Sequence, residues 1–241
     1  MSMDIALFLC RSDNYGVLIR DKASGVVATI DAPDADAIQA ALEERGWGLD
    51  HILITHTHFD HIEGIPALVQ RYGAKVTAPA LAKAEVPGAM RYVGEGDAVT
   101  IGALTGVVWD TPGHCPDHVS YYLAGERVIF TGDTLFAMGC GRILGSSAAH
   151  LYQSLQRFAR LPEDVMVYCG HEYTLANARF CAAIEPDNAG IAKRLMEVQA
   201  LRAAGAFTLP TSIGREKATN VFLRARDEAE FAARRAAKDK A

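Results

Sequence analysis

The chain has 241 residues, half of them hydrophobic, and a formal net charge of −5, enough for a large buried core in one domain or a main domain with a small appendix. The mildly acidic balance weighs against nucleic-acid binding, and no apolar run is long enough to span a bilayer. Cys10, Cys115, Cys140, Cys169 and Cys181 form no CxxC pair, and Met1-Ser-Met-Asp4 lacks the regions of a secretory signal, so a cytoplasmic protein is expected; no nucleic-acid or membrane partner and a monomeric state are expected alongside.

Ile5 to Cys10, Tyr15 to Arg20 and Val26 to Ile30 read as short strands, separated by the turn signals Ser12-Asp13-Asn14 and Ala23-Ser24-Gly25. Asp31 ends the third strand ahead of Pro33, either as a turn residue or as a carboxylate orienting a metal-bound histidine. Asp34 to Arg45 is expected as an amphipathic helix, with Asp34 as N-cap, Ile38, Ala41 and Leu42 on one face, and Gly46 as the stop. His51-Ile-Leu-Ile54 is a strand, with His51 read as a surface residue.

The densest chemistry follows, in His56-Thr-His58-Phe-Asp60-His61. Imidazole nitrogen and carboxylate oxygen are zinc-type ligands. On a helix, His58 would point away from the face shared by His56 and Asp60. On a continued strand, His61 would point opposite to the other three. The stretch is therefore expected as a loop that leaves a buried strand and curls into a helix starting near Glu63, presenting ligands from several directions to two metals.

A helix over Ile65 to Tyr72 and a strand over Lys75 to Ala78 come next; Ala80 to Glu95 reads as loop with a short helix. Ala98 to Ile101 and Thr105 to Asp110 are expected strands, and Thr111-Pro-Gly-His114 then places a histidine on a forced turn. His118, ahead of strand Val119 to Leu123, is read as supporting the site rather than ligating. Arg127 to Gly132 is a strand ending in Asp133, whose two oxygens can bridge two metals as imidazole cannot. Gly139-Cys-Gly-Arg142 lacks the ending of a phosphate loop. Ala148 to Ala159 is a helix, and strand Val165 to Cys169 ends in Gly170-His171-Glu172-Tyr173. Beyond it, helices are expected over Thr174 to Ala183 and Asn188 to Ala204, with a basic helix over Asp227 to Ala241 read as a solvated face.

His56, His114, Asp133 and His171 each follow an apolar strand, so strand ends on one rim of packed sheets would bring them together. An α/β protein with sheet-on-sheet packing and outer helices fits. Two divalent metals against two carboxylates and neutral histidines leave the cluster positive. Hydroxide available there at neutral pH would support hydrolysis without a serine or cysteine nucleophile, the ligands alone not choosing between ester, amide, lactone, thioester and phosphodiester bonds, and no Gly-x-Ser-x-Gly elbow is present.

The set His56-x-His58-x-Asp60-His61, His114, Asp133 and His171 resembles the metallo-β-lactamase superfamily. Asp13-Asn-Tyr15, Thr131-Gly-Asp-Thr-Leu-Phe136, Gly139-Cys-Gly-Arg142, Cys169-Gly-His-Glu-Tyr-Thr174, Asn220-Val-Phe-Leu-Arg224 and Arg235-Ala-Ala-Lys238-Asp239 resemble, more narrowly, its glyoxalase II (hydroxyacylglutathione hydrolase) family. The resemblance implies a four-layer αββα sandwich over residues 1–174 with a helical substrate-binding region over 175–241. It implies one metal site of His56, His58 and His114 and another of Asp60, His61 and His171, with Asp133 bridging and Asp60 and Asp133 serving the catalysis. The ions would be two divalent metals, zinc first, with iron or manganese as alternatives.

The implied reaction is cleavage of S-D-lactoylglutathione, or another 2-hydroxyacylglutathione, to the hydroxy acid and glutathione by a metal-bridging hydroxide, as in methylglyoxal detoxification. Arg142, Tyr173, Arg235 and Lys238 match the family's glutathione contacts, and guanidinium and ammonium groups suit the carboxylates of that tripeptide. The chain departs from the family pattern at Leu144-Gly145-Ser146-Ser147, at Asp117 where glycine is usual, in a shorter stretch between Asn220 and Arg235, and in lacking an aromatic after Asp239. A lactonase or other thioesterase on the same site, a persulfide dioxygenase with one iron, and a non-catalytic binding protein are the competing readings.

Overall fold

The computed structural model describes residues 2–241. The chain divides into two compact units, one of residues 1–110 with 117–130 and one of residues 111–116 with 131–241. Both mix strands and helices, as the α/β pattern of the sequence requires.

In the first unit, β1 (Met3–Cys10), β2 (Asn14–Asp21), β3 (Val27–Ile30), β4 (His51–Leu53), β5 (Lys75–Pro79) and β6 (Arg91–Val93) form one sheet in chain order. The first three strands are antiparallel hairpins; β3 to β6 run parallel. Parallel neighbours need crossovers, and helices supply two of them. α1 (Ala35–Arg45) joins β3 to β4, while α2 (Phe59–Ile62) and α3 (Ile65–Tyr72) lie between β4 and β5. Helix α1 forms where its caps dictate. The Asp34 side chain accepts from Asp36 N and Ala37 N, and Gly46 closes the helix in the left-handed region at φ 64°. Its apolar face, Ile38, Ala41 and Leu42, packs into a buried cluster with Leu18, Ile52, Ile54, Leu68 and Val76. Fully burying a side chain such as Leu42 contributes about 1.5–3 kcal/mol.

The parallel register aligns Ile30 with Leu53 and Leu53 with Thr77. The C-terminal ends of β3 and β4 therefore open on the same rim, where α/β sheets hold their ligands. A second set of strands, β7 (Ala98–Ile101), β8 (Leu104–Asp110), β9 (Val119–Leu123) and β10 (Val128–Gly132), pairs as antiparallel neighbours in that order.

The second unit takes up the end of β10. There Gly170 N donates to Gly132 O, beside β13 (Met166–Cys169), which pairs in turn with β14 (Thr211–Ser212). A small hairpin of β11 (Leu135–Phe136) and β12 (Gly139–Cys140) lies between β10 and α4 (Ala148–Ala159). From Thr174 onward the chain is mostly helical: α5 (Thr174–Ile184), α6 (Ala189–Ala203), α7 (Ile213–Thr219) and α8 (Glu228–Lys238).

Two expectations change. Residues 80–95 contain a strand, β6, where only loop and helix were expected; three residues are too few to show a period. The C-terminal tail is not a solvated face, because Phe231 and Arg235 of α8 are buried.

Candidate metal centre

Each unit carries part of the expected ligand set. In the first, β4 gives way to an extended stretch through His58, and α2 begins at Phe59. Asp60 and His61 thus lie on one turn of helix, not in a loop ahead of a helix at Glu63. The ligand run changes period midway. His56 and His58 are set by extended backbone, and Asp60 and His61 are turned back by the helix.

The donor atoms of His56 and His58, of His56 and His61, and of Asp60 and His61 lie within 4.8 Å of one another. His56 Nε2 faces His58 Nδ1 at 3.1 Å. His51 begins β4, at the end of the strand away from this loop.

Asp31 organises this half. It is buried and held at φ 58°, a left-handed conformation that costs most residues about 1–2 kcal/mol. One carboxylate oxygen accepts Thr55 N at 2.7 Å; the other accepts Thr55 Oγ1 at 2.8 Å and His61 Nδ1 at 2.8 Å. Since the Thr55 hydroxyl donates to Asp31, it accepts from His56 Nδ1, 3.0 Å away. Both imidazoles therefore carry their proton on Nδ1 and keep a lone pair on Nε2, an arrangement that suits a ligating histidine. Asn14 Nδ2 donates to the Asp60 carboxylate at 3.0 Å and to its carbonyl at 3.1 Å. The His118 ring, also buried, stacks on His56 with centroids 4.9 Å apart. Asn14 was legible as a turn residue and as part of a family-like stretch, but not as the partner of Asp60, 46 positions away.

The second unit contributes His114, Asp133 and His171. Asp133 Oδ2 lies 3.2 Å from His171 Nε2 and 3.6 Å from His114 Nε2. His114 Nδ1 donates to Arg142 O at 2.8 Å, which again leaves Nε2 facing Asp133. Gly141 is a necessary glycine here. A Cβ on it would run into the Asp133 carbonyl oxygen and press on the His114 ring. Tyr173 stacks on His171, rings 4.8 Å apart and nearly parallel, and Phe136 meets both edge-on.

These residues open on a cleft of 520 Å³ in the second unit. His114 and Asp133 line it together with Arg142, Tyr173, Arg235 and Lys238. Arg142 is exposed and Arg235 buried. The Arg235 guanidinium donates to Cys140 O at 3.0 Å and to the Asp239 carboxylate at 2.8 Å, while its Nε has no hydrogen-bond partner among the described residues. Arg235 therefore props the Gly139–Arg142 turn as well as charging the cleft. Burial, and then the nearby Arg235 charge, lower the pKa of Lys238. Burial pushes the Cys140 thiol up to about 11 and Cys169 to about 12, so neither supplies a thiolate at neutral pH.

The donor set fits a divalent metal: histidine and carboxylate only, with the tautomers of His56, His61 and His114 fixed by outer hydrogen bonds. No helix among the described residues is long and apolar enough to cross a membrane.

Comparison with known proteins agrees with the geometry. The family model of the metallo-beta-lactamase superfamily matches residues 28–171, and that of the hydroxyacylglutathione hydrolase C-terminus matches residues 172–241. A hydroxyacylglutathione hydrolase of Methylobacterium sp. is 52% identical over 94% of this chain and 89% of its own. One of Brucella anthropi is 51% identical over 93% of this chain and 86% of its own. Among solved structures, ETHE1 from Myxococcus xanthus superposes with a TM-score of 0.74 at 29% identity, over 97% of this chain and 90% of that one. A metallo-beta-lactamase from Staphylococcus aureus shares the fold, with a TM-score of 0.71 at 20% identity over 99% of this chain and 73% of that one. Half the sequence held in common along nearly the full length, with both halves of the family pattern in order, places the chain in the hydroxyacylglutathione hydrolase family of the metallo-β-lactamase superfamily.

Proposed function

We propose that this protein hydrolyses 2-hydroxyacylglutathione thioesters, S-D-lactoylglutathione first among them, to the hydroxy acid and glutathione. The observation that carries the reading is the cleft, where His114 and Asp133 share walls with Arg142, Tyr173, Arg235 and Lys238. A metal-ligand edge beside a cationic wall suits a thioester whose leaving group carries two carboxylates. Residues 1–174 serve as the catalytic part and 175–241 as the substrate-binding part.

In this reading His56, His58 and His114 hold one divalent ion, Asp60, His61 and His171 hold a second, and Asp133 bridges them. Zinc is the first choice for that donor set, with iron and manganese compatible. The ions supply Lewis acidity and a water ionised near neutral pH. The chain's own residues do the rest. Asp31 and Thr55 keep His56 and His61 in the ligating tautomer, Asn14 orients Asp60, and the Arg142 carbonyl orients His114. Arg142, Arg235 and Lys238 orient the glutathione carboxylates, and Tyr173, which lines the same cleft, stacks on His171. Five buried free thiols support a reducing, cytoplasmic setting.

The test is the ultraviolet absorbance of the thioester, followed alongside metal analysis of the same sample. Chelator-sensitive turnover with about two metals per chain is expected. Full metal loading with no thioester turnover, but turnover of a lactone or another acyl carrier, would replace glutathione as the substrate.

A further inference from the structure

The Asp117 carboxylate, ahead of β9, is occupied. Three consecutive residues ahead of and entering β9 meet three consecutive residues of the metal loop. Val119 N donates to Thr55 O at 2.8 Å. The His118 ring stacks on the His56 ring, 4.9 Å between centroids and 27° between planes. Thr57 N donates to Asp117 Oδ2 at 2.9 Å. Thr57 is the residue between His56 and His58. It lies past the end of β4 and before the start of α2, outside the regular hydrogen bonding of either element.

We propose that Asp117 is a positioning residue, which with His118 clamps the loop so that His56 and His58 are held in their ligating orientation before a metal arrives. The inference rests on the reading of His56 and His58 as metal ligands. The physical case has two parts. A peptide N–H given to a carboxylate is a charge-assisted bond, stronger than one between neutral groups. A loop ordered beforehand also spares metal binding the entropy of ordering it. A residue without a side-chain acceptor at this position would have nothing to offer Thr57 N.

The experiment uses the full chain in two states. In the metal-free protein, amide hydrogen exchange is read at Thr57. In titrations against a chromophoric chelator, zinc affinity is read for wild type, D117A, D117N and H58A. The Thr57 amide is expected to be protected in wild type and to exchange faster in D117A. Zinc affinity in D117A is expected to fall by about tenfold, the lower end for outer-sphere partners of metal ligands. D117N, whose amide oxygen still accepts, is expected to recover most of both.

Rapid exchange at Thr57 in wild-type metal-free protein overturns the proposal with no variant needed, even if D117A fails to fold. So does a D117A protein that binds zinc as tightly as wild type. If H58A loses zinc while D117A does not, the clamp alone falls. If H58A keeps zinc at wild-type affinity, the ligand reading is wrong and the clamp falls with it.

Discussion

Replacing Asp31 with Asn tests the tautomer control of the first half-site. Asparagine tolerates the left-handed backbone at φ 58°, so the main chain has no reason to move. The aspartate receives three donors: Thr55 N, Thr55 Oγ1 and His61 Nδ1. Asparagine can receive only on its single oxygen. If that oxygen keeps Thr55 N, its NH2 group faces the Thr55 hydroxyl and His61 Nδ1. His61 must then present a lone pair at Nδ1 and move its proton to Nε2, the atom a metal needs. The Thr55 hydroxyl, now accepting from Asn, turns its own proton toward His56 Nδ1 and drives the same shift there. If the amide flips instead, its NH2 meets the Thr55 N–H, two buried donors face to face. Either arrangement costs about 1–3 kcal/mol. The first places that cost on metal affinity, a loss of roughly tenfold to a hundredfold. The second places it on folding, a fall of roughly 2–4 °C in Tm for each kcal/mol in a chain of this size. Zinc titration and thermal melting of the metal-free protein separate the two, and imidazole 15N shifts report the tautomers directly. A D31N protein with wild-type zinc affinity, wild-type Tm and both imidazoles still protonated on Nδ1 would refute the argument.

Lys238→Ala should raise KM for a glutathione thioester about tenfold, one charge-assisted contact of roughly 1.4 kcal/mol, and leave kcat and Tm nearly unchanged, the signature of uniform binding loss. Arg235→Ala should raise KM and also lower Tm, because its guanidinium holds Cys140 O and Asp239; a change in KM alone would mean that the prop is unimportant. Gly141→Ala should lower bound metal at His114 and Asp133, since the added methyl has no room beside either residue; metal analysis showing wild-type content removes that constraint. Glu230 accepts from Arg226 N and Arg226 Nε, which hold its carboxyl down at about 2, below its ordinary 4.5. A depressed acid stabilises the fold above its unfolded pKa and ceases to do so as pH falls through the folded one. The Tm gap between wild type and E230Q should therefore be full above pH 4.5 and close as pH falls toward about 2; a gap constant with pH would contradict this.

What the sequence revealed and what it hid follow from the range of the forces involved. Ile65–Tyr72, Val119–Leu123 and Ala148–Ala159 fall at their expected boundaries, because a full period of apolar residues and clear end signals fix them locally. Helix α2 has four residues and strand β6 three, too short for any period, and both exist because neighbouring elements hold them. The seven candidate ligands stand out in the sequence because each follows an apolar strand or lies in the run from His56 to His61. Of their supports, Asp31 and His118 were legible as candidates, but the contacts through which they act were not. Asp31 works through a left-handed backbone that no residue pattern announces, and Asn14 reaches Asp60 from 46 positions away. Apart from the family resemblance, Arg235 looks in sequence like one more cation on a basic helix; in the structure it is buried, its guanidinium lying over the Phe222 ring and donating to Cys140 O. The charges that matter in this molecule are those that have lost their water. Counting Arg and Lys in the tail therefore suggested a solvated surface, where packing makes part of a cleft wall. Asp117, too, is only a polar residue in a turn by its sequence, and its carboxylate is found to accept the Thr57 amide, between the two candidate ligands His56 and His58.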